Sequence, residues 1–596
     1  MPSTLRSLFG RAKRQVVADL REDPYLPYVL LLAAALASFW FWHRIPNFAT
    51  RDEKSRLFDS MVAYGRVIAE PSFESLKAGI VWSRVPFGAT FYLFGLAVLP
   101  VVLVAALVGE LGAFATLGFP SYEFGFYPAW QSMPRWVWTW SLVFVRLFNI
   151  AFAVGCVYLT YRLGVATRDR ATGNLAALLL TFSFGFLTIA HEGGEDMPAL
   201  FFVLLALYLV VRYVQTDDRS LFLAGSAAGG AAIAFKLTAA PVILLIGLGY
   251  FLRARRAGTE WRSALLRPGL VVGGAALGLL TIILGFPTAL VAGPEPFIER
   301  VFGGSAARAT HATGPDAPIW WWFLRGYFSG LSLPLFFAGV AGVVGSLVTL
   351  REGDGDFDAE LLVLVALAAY VLLFSQWHDF RVHHLLPTFP FIMVLLAGTL
   401  LRFNNRRPAL AGPAIAVLLV TSGTYAVVGD MGYAAMPRDQ AEDWLAENAP
   451  DNATMEVYRR DFQDAAVPFW MNINHAYGRE GRGEELVDCP QYIQLGYRDL
   501  LYLNEGTYYR NGAAQAQYIT NLLRGEYNYE VVAAFGPAPD RYIPKRATPG
   551  SVTDLLRYGV IPQTDQYADE QELAANQYTV ILERNGECVY DRNPPF

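Results

Sequence analysis

Charge is what this sequence has least of. Only 17% of its 596 residues are Asp, Glu, Lys or Arg, against 54% that are hydrophobic, and the mean hydropathy is +0.32. A net charge of −5 leaves no bulk positive charge to hold a nucleic acid, so no partner of that kind is expected. A chain this apolar is not a disordered one either. Lysine is scarce: Lys13, Lys54, Lys77, Lys236 and Lys545 stand against 42 arginines. Cysteine is scarcer, at three. Cys156 falls in an apolar run and reads as a small packing residue. Cys489 and Cys588 both fall in the polar C-terminal part and are free to pair if that part faces an oxidising exterior.

What the chain has in abundance is apolar sequence gathered into blocks, which excludes an ordinary soluble enzyme. Several blocks approach the ~20 residues that a helix needs to cross a bilayer. They are 25–42, 88–108, 137–161, 174–190, 197–214, 221–235, 238–252, 269–291, 331–350, 360–377, 385–401 and 409–428. The segment 1–24 ahead of them is polar and basic and has no small-residue cleavage site. The first block therefore reads as an uncleaved helix with a cytoplasmic N-terminus. The Arg-rich loops at 162–170, 212–219, 253–267 and 402–407 are expected on the cytoplasmic side too. Alternation then puts 43–136, 191–196, 236–238, 292–330, 378–384 and everything after 429 outside. It also forbids 88–108 from crossing alone, so that block is expected to be embedded in the first outer loop. The fold expected is mostly α: a polytopic cell-membrane protein with about 11 spans over 25–429.

Residues 430–596 are different in kind. They carry 26 acidic and 14 basic side chains, a balance of −12, where the rest of the chain stands at +7. This part reads as a soluble, extracytoplasmic α/β domain of ordinary size. Gln440–Glu447 has a helical pattern. Thr454–Tyr458, Tyr529–Phe535 and Gln577–Leu582 are rich in β-branched and aromatic residues and read as strands. Asn452-Ala453-Thr454 is an N-glycosylation sequon in a loop expected outside.

Ionisable residues at a membrane boundary are costly, which makes them functional candidates. Four groups fall on the outer side. Asp52 and Glu53 follow the first block; a solvated loop accounts for them, and so does a general base on an acceptor hydroxyl. His191, Glu192, Glu195 and Asp196 separate two spans. Asp196 ahead of Pro198 suits a helix start, while the cluster as a whole suits acceptor positioning or a divalent cation, the one cofactor to be entertained. Lys236 sits between two apolar runs and is placed to snorkel or to hold a phosphate. His378, Arg381, His383 and His384 form a hairpin suited to a phosphate leaving group. The run Trp320-Trp321-Trp322-Phe323 reads as an interfacial belt.

These pieces, in this order, resemble the GT-C glycosyltransferases, nearest the dolichyl-phosphate-mannose–protein mannosyltransferases and the aminoarabinose transferases. Asp52-Glu53 is similar to the family's Asp-Glu motif in the first outer loop. Glu195-Asp196-Met197-Pro198-Ala199-Leu200-Phe201-Phe202 resembles its Asp-Ala-Pro-Leu-Phe-Phe helix start, Phe235-Lys236 its Thr-Lys-Gly element, and 378–390 its polar hairpin. The His-Pro-Pro-Leu element is matched only by Arg84-Val85-Pro86-Phe87. The Trp-Trp-Asp-Tyr-Gly signature of oligosaccharyltransferases is absent from the tail, which argues against whole-glycan transfer to asparagine.

The resemblance implies transfer of one sugar, mannose being favoured, from a polyprenyl- or dolichyl-phosphate carrier to a protein, a lipid-linked glycan or a lipid at the outer face. Asp52 and Glu53 would be catalytic, with Asp52 the base. Asp196, Glu195 and His191 would position the acceptor or a metal. Arg381, His378, His383, His384 and Lys236 would hold the donor phosphate. The alternative is a transporter or flippase of a lipid-linked sugar, which calls for ionisable residues along a mid-span path.

Overall fold

In the computed structural model each of the twelve apolar blocks contains helix, although 25–42 is helical only in part and 174–190 and 269–291 are each split between two helices. The structure describes all residues except 1, 83–87, 121–126, 257–259, 297, 300–302, 304–316, 353–356, 378–380, 435, 459–464, 476–488, 504–511, 537–549, 563–577, 590, 591 and 593. His378 and the element 84–87 therefore lie outside the described residues. In lipid a backbone can satisfy its N–H and C=O groups only within a helix or a closed barrel, so continuous apolar sequence resolves into helices. Among the described residues seven helices are long and apolar enough to cross a membrane. An eighth crossing results if Arg170–Thr181 and Phe184–Ala190, bent by 67° at Phe182-Ser183, count as one. The protein is a multi-pass, mostly helical membrane protein.

Two blocks depart from the sequence reading. Gly88–Val108 is one 21-residue helix with the length and composition of a crossing helix, not merely of an embedded element. The block 25–42 forms a helix only over Leu26–Ala37. Twelve residues rise about 18 Å, short of the ~30 Å hydrocarbon core. Beyond Ala37 the chain turns, with Trp40 and Arg44 in the left-handed region (φ 54° and 55°). The Arg146 guanidinium donates to the carbonyls of Phe41 and His43, giving those groups the partners that a continued helix would have supplied.

The N-terminal helix Pro2–Glu22 is strapped to one end of the bundle. Asp19 accepts from Arg162 (2.9 Å) and from the Tyr158 hydroxyl (2.7 Å), and Asp23 accepts from Tyr161 and Asn174. Arg11 pairs with Asp218 at 2.8 Å. Arg162 and Asp218 fall in loops expected to share its side, and Tyr158, Tyr161 and Asn174 lie on the adjoining helices.

The tail holds a five-stranded mixed sheet: β1 Thr454–Val457, β2 Asn472–His475, β3 Tyr492–Leu495, β4 Tyr529–Phe535 and β5 Thr579–Arg584, in the order β2-β1-β3-β5-β4. β1 runs parallel to β2 and β3; β5 runs antiparallel to β3 and β4. Alternate residues of a strand face opposite ways, and the packing shows it. Val580 and Leu582 join Ile493, Ile519 and Leu522 on one face. Ile581 joins Met455, Val457 and Tyr492 on the other, in one core with Phe48, Phe58, Met61 and Trp130 of the first loop and Trp138 of the Arg135–Thr167 helix. The helix expected over 440–447 runs Pro437–Asn448 and buries Ala441 and Leu445 in that same core. Asn47 donates to the Val467 carbonyl and to Glu442, and Arg44 to the Ala465 carbonyl. The tail and the first loop thus lie together.

Cys489 and Cys588 are disulfide-bonded across a sequence separation of 99, with Cα atoms 5.6 Å apart. Closing so long a loop restricts the unfolded chain. Replacing both cysteines by alanine is expected to cost about 2–5 kcal/mol. Differential scanning fluorimetry should register this as a melting temperature lower by several degrees.

Candidate active site

The Arg51–Ala69 helix starts where its sequence says it should. The Thr50 hydroxyl accepts from the Glu53 backbone N–H (3.1 Å), and Asp52 and Glu53 fill the first turn, where the helix dipole favours negative charge. Adjacent residues lie about 100° apart around a helix, and the two carboxylates part company. Glu53 is fully buried. It accepts from Arg146 Nε (2.7 Å) and Nη2 (2.8 Å), from Gly193 N–H (3.0 Å) and from Ala49 N–H (3.0 Å). Its oxygens are committed to protein partners. Asp52 keeps a half-exposed carboxylate, 3.6 Å from Arg56 one turn on.

Arg56 carries the line inward. Its Nε lies 3.2 Å from Glu195, in the loop between two spans. Burial works to raise the Glu195 carboxyl, but the cations Arg56 and Lys236 outweigh it, and the group is held below the usual carboxylate range. The next residue, Asp196, opens the Asp196–Thr216 helix and pairs with Lys236, which ends the Arg219–Phe235 helix. Charges from three segments thus form a chain: Asp52, Arg56, Glu195, Lys236 and Asp196.

The other half of that loop faces away. His191 Nε2 lies 3.1 Å from Asp430 and its Nδ1 lies 3.2 Å from the Ala37 carbonyl; the ring stacks on Tyr433. Glu192 accepts from the Tyr433 hydroxyl (2.8 Å). Both grip the Pro408–Tyr433 helix. Gly193 must be glycine: a Cβ there would come within 2.3 Å of Val145.

A cleft opens where Asp196 and Lys236 meet the hairpin. It is small, with a cavity volume of about 10 Å³. Asp196, Lys236, His383 and His384 are its charged and imidazole lining, and Leu200, Val203 and Leu386 are among its apolar lining. His384 accepts the Arg381 backbone N–H at Nδ1 (2.9 Å), which leaves its proton on Nε2. Tyr370 also lines the cleft; its hydroxyl is buried and has no partner among the described residues. Such a group costs stability unless something in the cleft bonds to it.

Three of the four groups picked from sequence therefore supply the cleft, through Asp196, Lys236, His383 and His384. Asp52 reaches it by way of Arg56 and Glu195 and is not itself on the wall; neither are Glu53, His191 or the Arg381 side chain. Among the described residues no three His, Cys, Asp or Glu side chains gather to hold a metal ion. Sequence reasoning missed Arg56, Arg146 and Tyr370. Arg146 had a signal, being the charge inside the apolar run 137–161.

Residues 139–285 match the family model of the dolichyl-phosphate-mannose-protein mannosyltransferases. The matched stretch carries Arg146, the loop 191–196 and Lys236; the histidines of the hairpin lie beyond it. No curated protein sequence matches the chain. Among solved structures it is similar to ArnT from Cupriavidus metallidurans bound to undecaprenyl phosphate. The identity is 13% and the TM-score 0.45, over 80% of this chain and 94% of that one. It is also similar to the oligosaccharyltransferase AglB from Archaeoglobus fulgidus in complex with an inhibitory peptide and a dolichol-phosphate. There the identity is 11% and the TM-score 0.46, over 95% of this chain and 89% of that one.

Removing one partner of a buried ion pair leaves the other charge stranded, at about 3–5 kcal/mol. Arg146→Ala is accordingly expected to lower the melting temperature sharply. Asp52→Asn, at a half-exposed site, should leave it within a degree or two. Equal effects in thermal melts of the two purified variants would contradict the division of labour between Asp52 and Glu53.

Proposed function

We propose that the chain transfers one sugar from a polyprenyl-phosphate carrier to a hydroxyl acceptor at the membrane surface on the tail's side. The observation that carries the reading is the lining of the cleft: one cation, one carboxylate and two imidazoles together with apolar side chains, beside a half-exposed carboxylate linked through Arg56. An amphiphile with an anionic head and a hydrocarbon tail fits that polarity. Mannose is the sugar favoured by the family match; the acceptor is a protein, a lipid-linked glycan or a lipid.

In this reading the acceptor oxygen attacks the anomeric carbon as Asp52 takes its proton. The bond from that carbon to the phosphate oxygen breaks, and polyprenyl phosphate leaves with the electron pair. One displacement inverts the configuration. Lys236 and the Nε2–H of His384 face the oxygen on which charge develops, so stabilisation there is greatest in the transition state. A phosphate leaves readily once its charge is met, so no general acid is required. Arg56 positions Asp52, and Glu195 positions Arg56. Glu53 acts only through the frame it shares with Arg146. Tyr370 supplies a further donor to the bound head group.

The test is transfer from polyprenyl-phosphate mannose by purified protein, with the product's anomeric configuration read by NMR. Asp52→Asn is expected to lower kcat by about 10²–10⁴-fold with the fold intact. Lys236→Ala should raise KM for the donor at least tenfold, and Tyr370→Phe should raise it by less. Normal turnover by Asp52→Asn would remove that residue from the chemistry. Movement of the carrier across liposomes without product would favour the transporter instead.

A further inference from the structure

One stretch of the acidic tail does not behave as part of a water-soluble domain. Residues 551–562 form two short helical turns, Val552–Leu555 and Leu556–Gly559, and contribute nothing to the sheet. Leu555 and Tyr558 instead enter the core of the helical bundle, with Trp321, Leu331 and Tyr425. The Tyr425 hydroxyl donates to the Tyr558 carbonyl at 2.6 Å. Gly559 lies so close to Leu333 that a Cβ there would come within 2.5 Å of its side chain. Leu333 is the first residue of the Leu333–Glu352 helix, one of those long enough to cross the membrane. The stretch therefore sits at the level where a span begins.

Its other face is bare. Val560 is 66% and Ile561 53% exposed, and Val552 and Leu556 are exposed beside them. Large apolar side chains clustered in this way in a soluble domain mark a contact surface. The neighbouring surface says what the contact is. On the Leu333–Glu352 helix, Phe337, Val340, Val344 and Leu347 make an exposed apolar stripe at the spacing of one helix face. On a membrane-crossing helix that stripe meets lipid. The patch of the tail continues it past the end of the span. Arg557, set against the Tyr558 ring at 5.6 Å, adds a cation at the edge, where a long side chain can reach head groups while its stem stays apolar.

We propose that residues 551–562 dip into the bilayer leaflet on the tail's side, with Val560 and Ile561 among the acyl chains and Arg557 at the head groups. Short amphipathic elements of this composition lie in the interface plane. The tail then has two anchorages: the core it shares with the first outer loop, and the lipid itself.

The experiment uses the full chain in phosphatidylcholine–phosphatidylglycerol nanodiscs. Single cysteines at Val560 and, separately, at Ile561 are labelled with bimane; Cys156 is buried and the other two cysteines are paired. A cysteine at Glu447, exposed on the Pro437–Asn448 helix, is the aqueous reference. Lipids bearing a shallow nitroxide are expected to quench both tail labels several-fold more than aqueous iodide does, with the order reversed at Glu447. Iodide quenching equal to the reference at both tail positions would overturn the proposal. Shielding from iodide without lipid quenching would overturn it too, since a protein surface would then be the cover.

Discussion

A single buried ion pair governs the geometry of the end of the bundle that carries the tail. Glu53 and Arg146 meet with both side chains fully buried, and the same carboxylate accepts from Gly193. Three segments far apart in sequence are thereby fixed to one another: the start of the Arg51–Ala69 helix, the Arg135–Thr167 helix and the loop 191–196. Such a pair adds little net stability over an apolar substitute, because desolvation offsets the attraction, yet breaking it is expensive. It sets position more than it supplies energy. Asp52 stands where it does because its neighbour is nailed down, and Glu195 reaches Arg56 because Gly193 is held.

His191 and Glu192 complete the frame from the opposite side by gripping Asp430 and Tyr433. Within six residues the loop thus divides in two. One part holds helices together, and the other, Glu195 and Asp196, turns charge toward the cleft. A polar hairpin need not be wholly structural or wholly functional. Gly193, with no Cβ to meet Val145, lets the chain pass from one task to the other.

How much of this was legible follows from which forces act locally. The apolar blocks became helices because lipid leaves the backbone no other choice, and Asp196, Lys236 and His383-His384 announced themselves as ions or imidazoles at the block ends. The difference between Asp52 and Glu53 was not legible. It turns on which way one step of a helix points, and that depends on Arg146, 93 residues away. The break after Ala37 was hidden for the same reason. Arg56 looked like one more charge on a polar helix until its partner Glu195 was in place. In the tail, β4 showed through its β-branched and aromatic residues, whereas β2, Asn-Ile-Asn-His, has no such signature and exists because β1 lies beside it.

The core that the tail shares with the segment 48–138 has a consequence in time. Phe58 and Trp138 are translated long before Ala441, Met455 and Ile581, which complete their surroundings. About 300 residues separate the two contributions, and at ~5–20 residues per second their synthesis occupies roughly 15–60 s. For that interval the loop has emerged without its final cover. The ribosome's pace therefore sets the earliest moment at which this shared core can close.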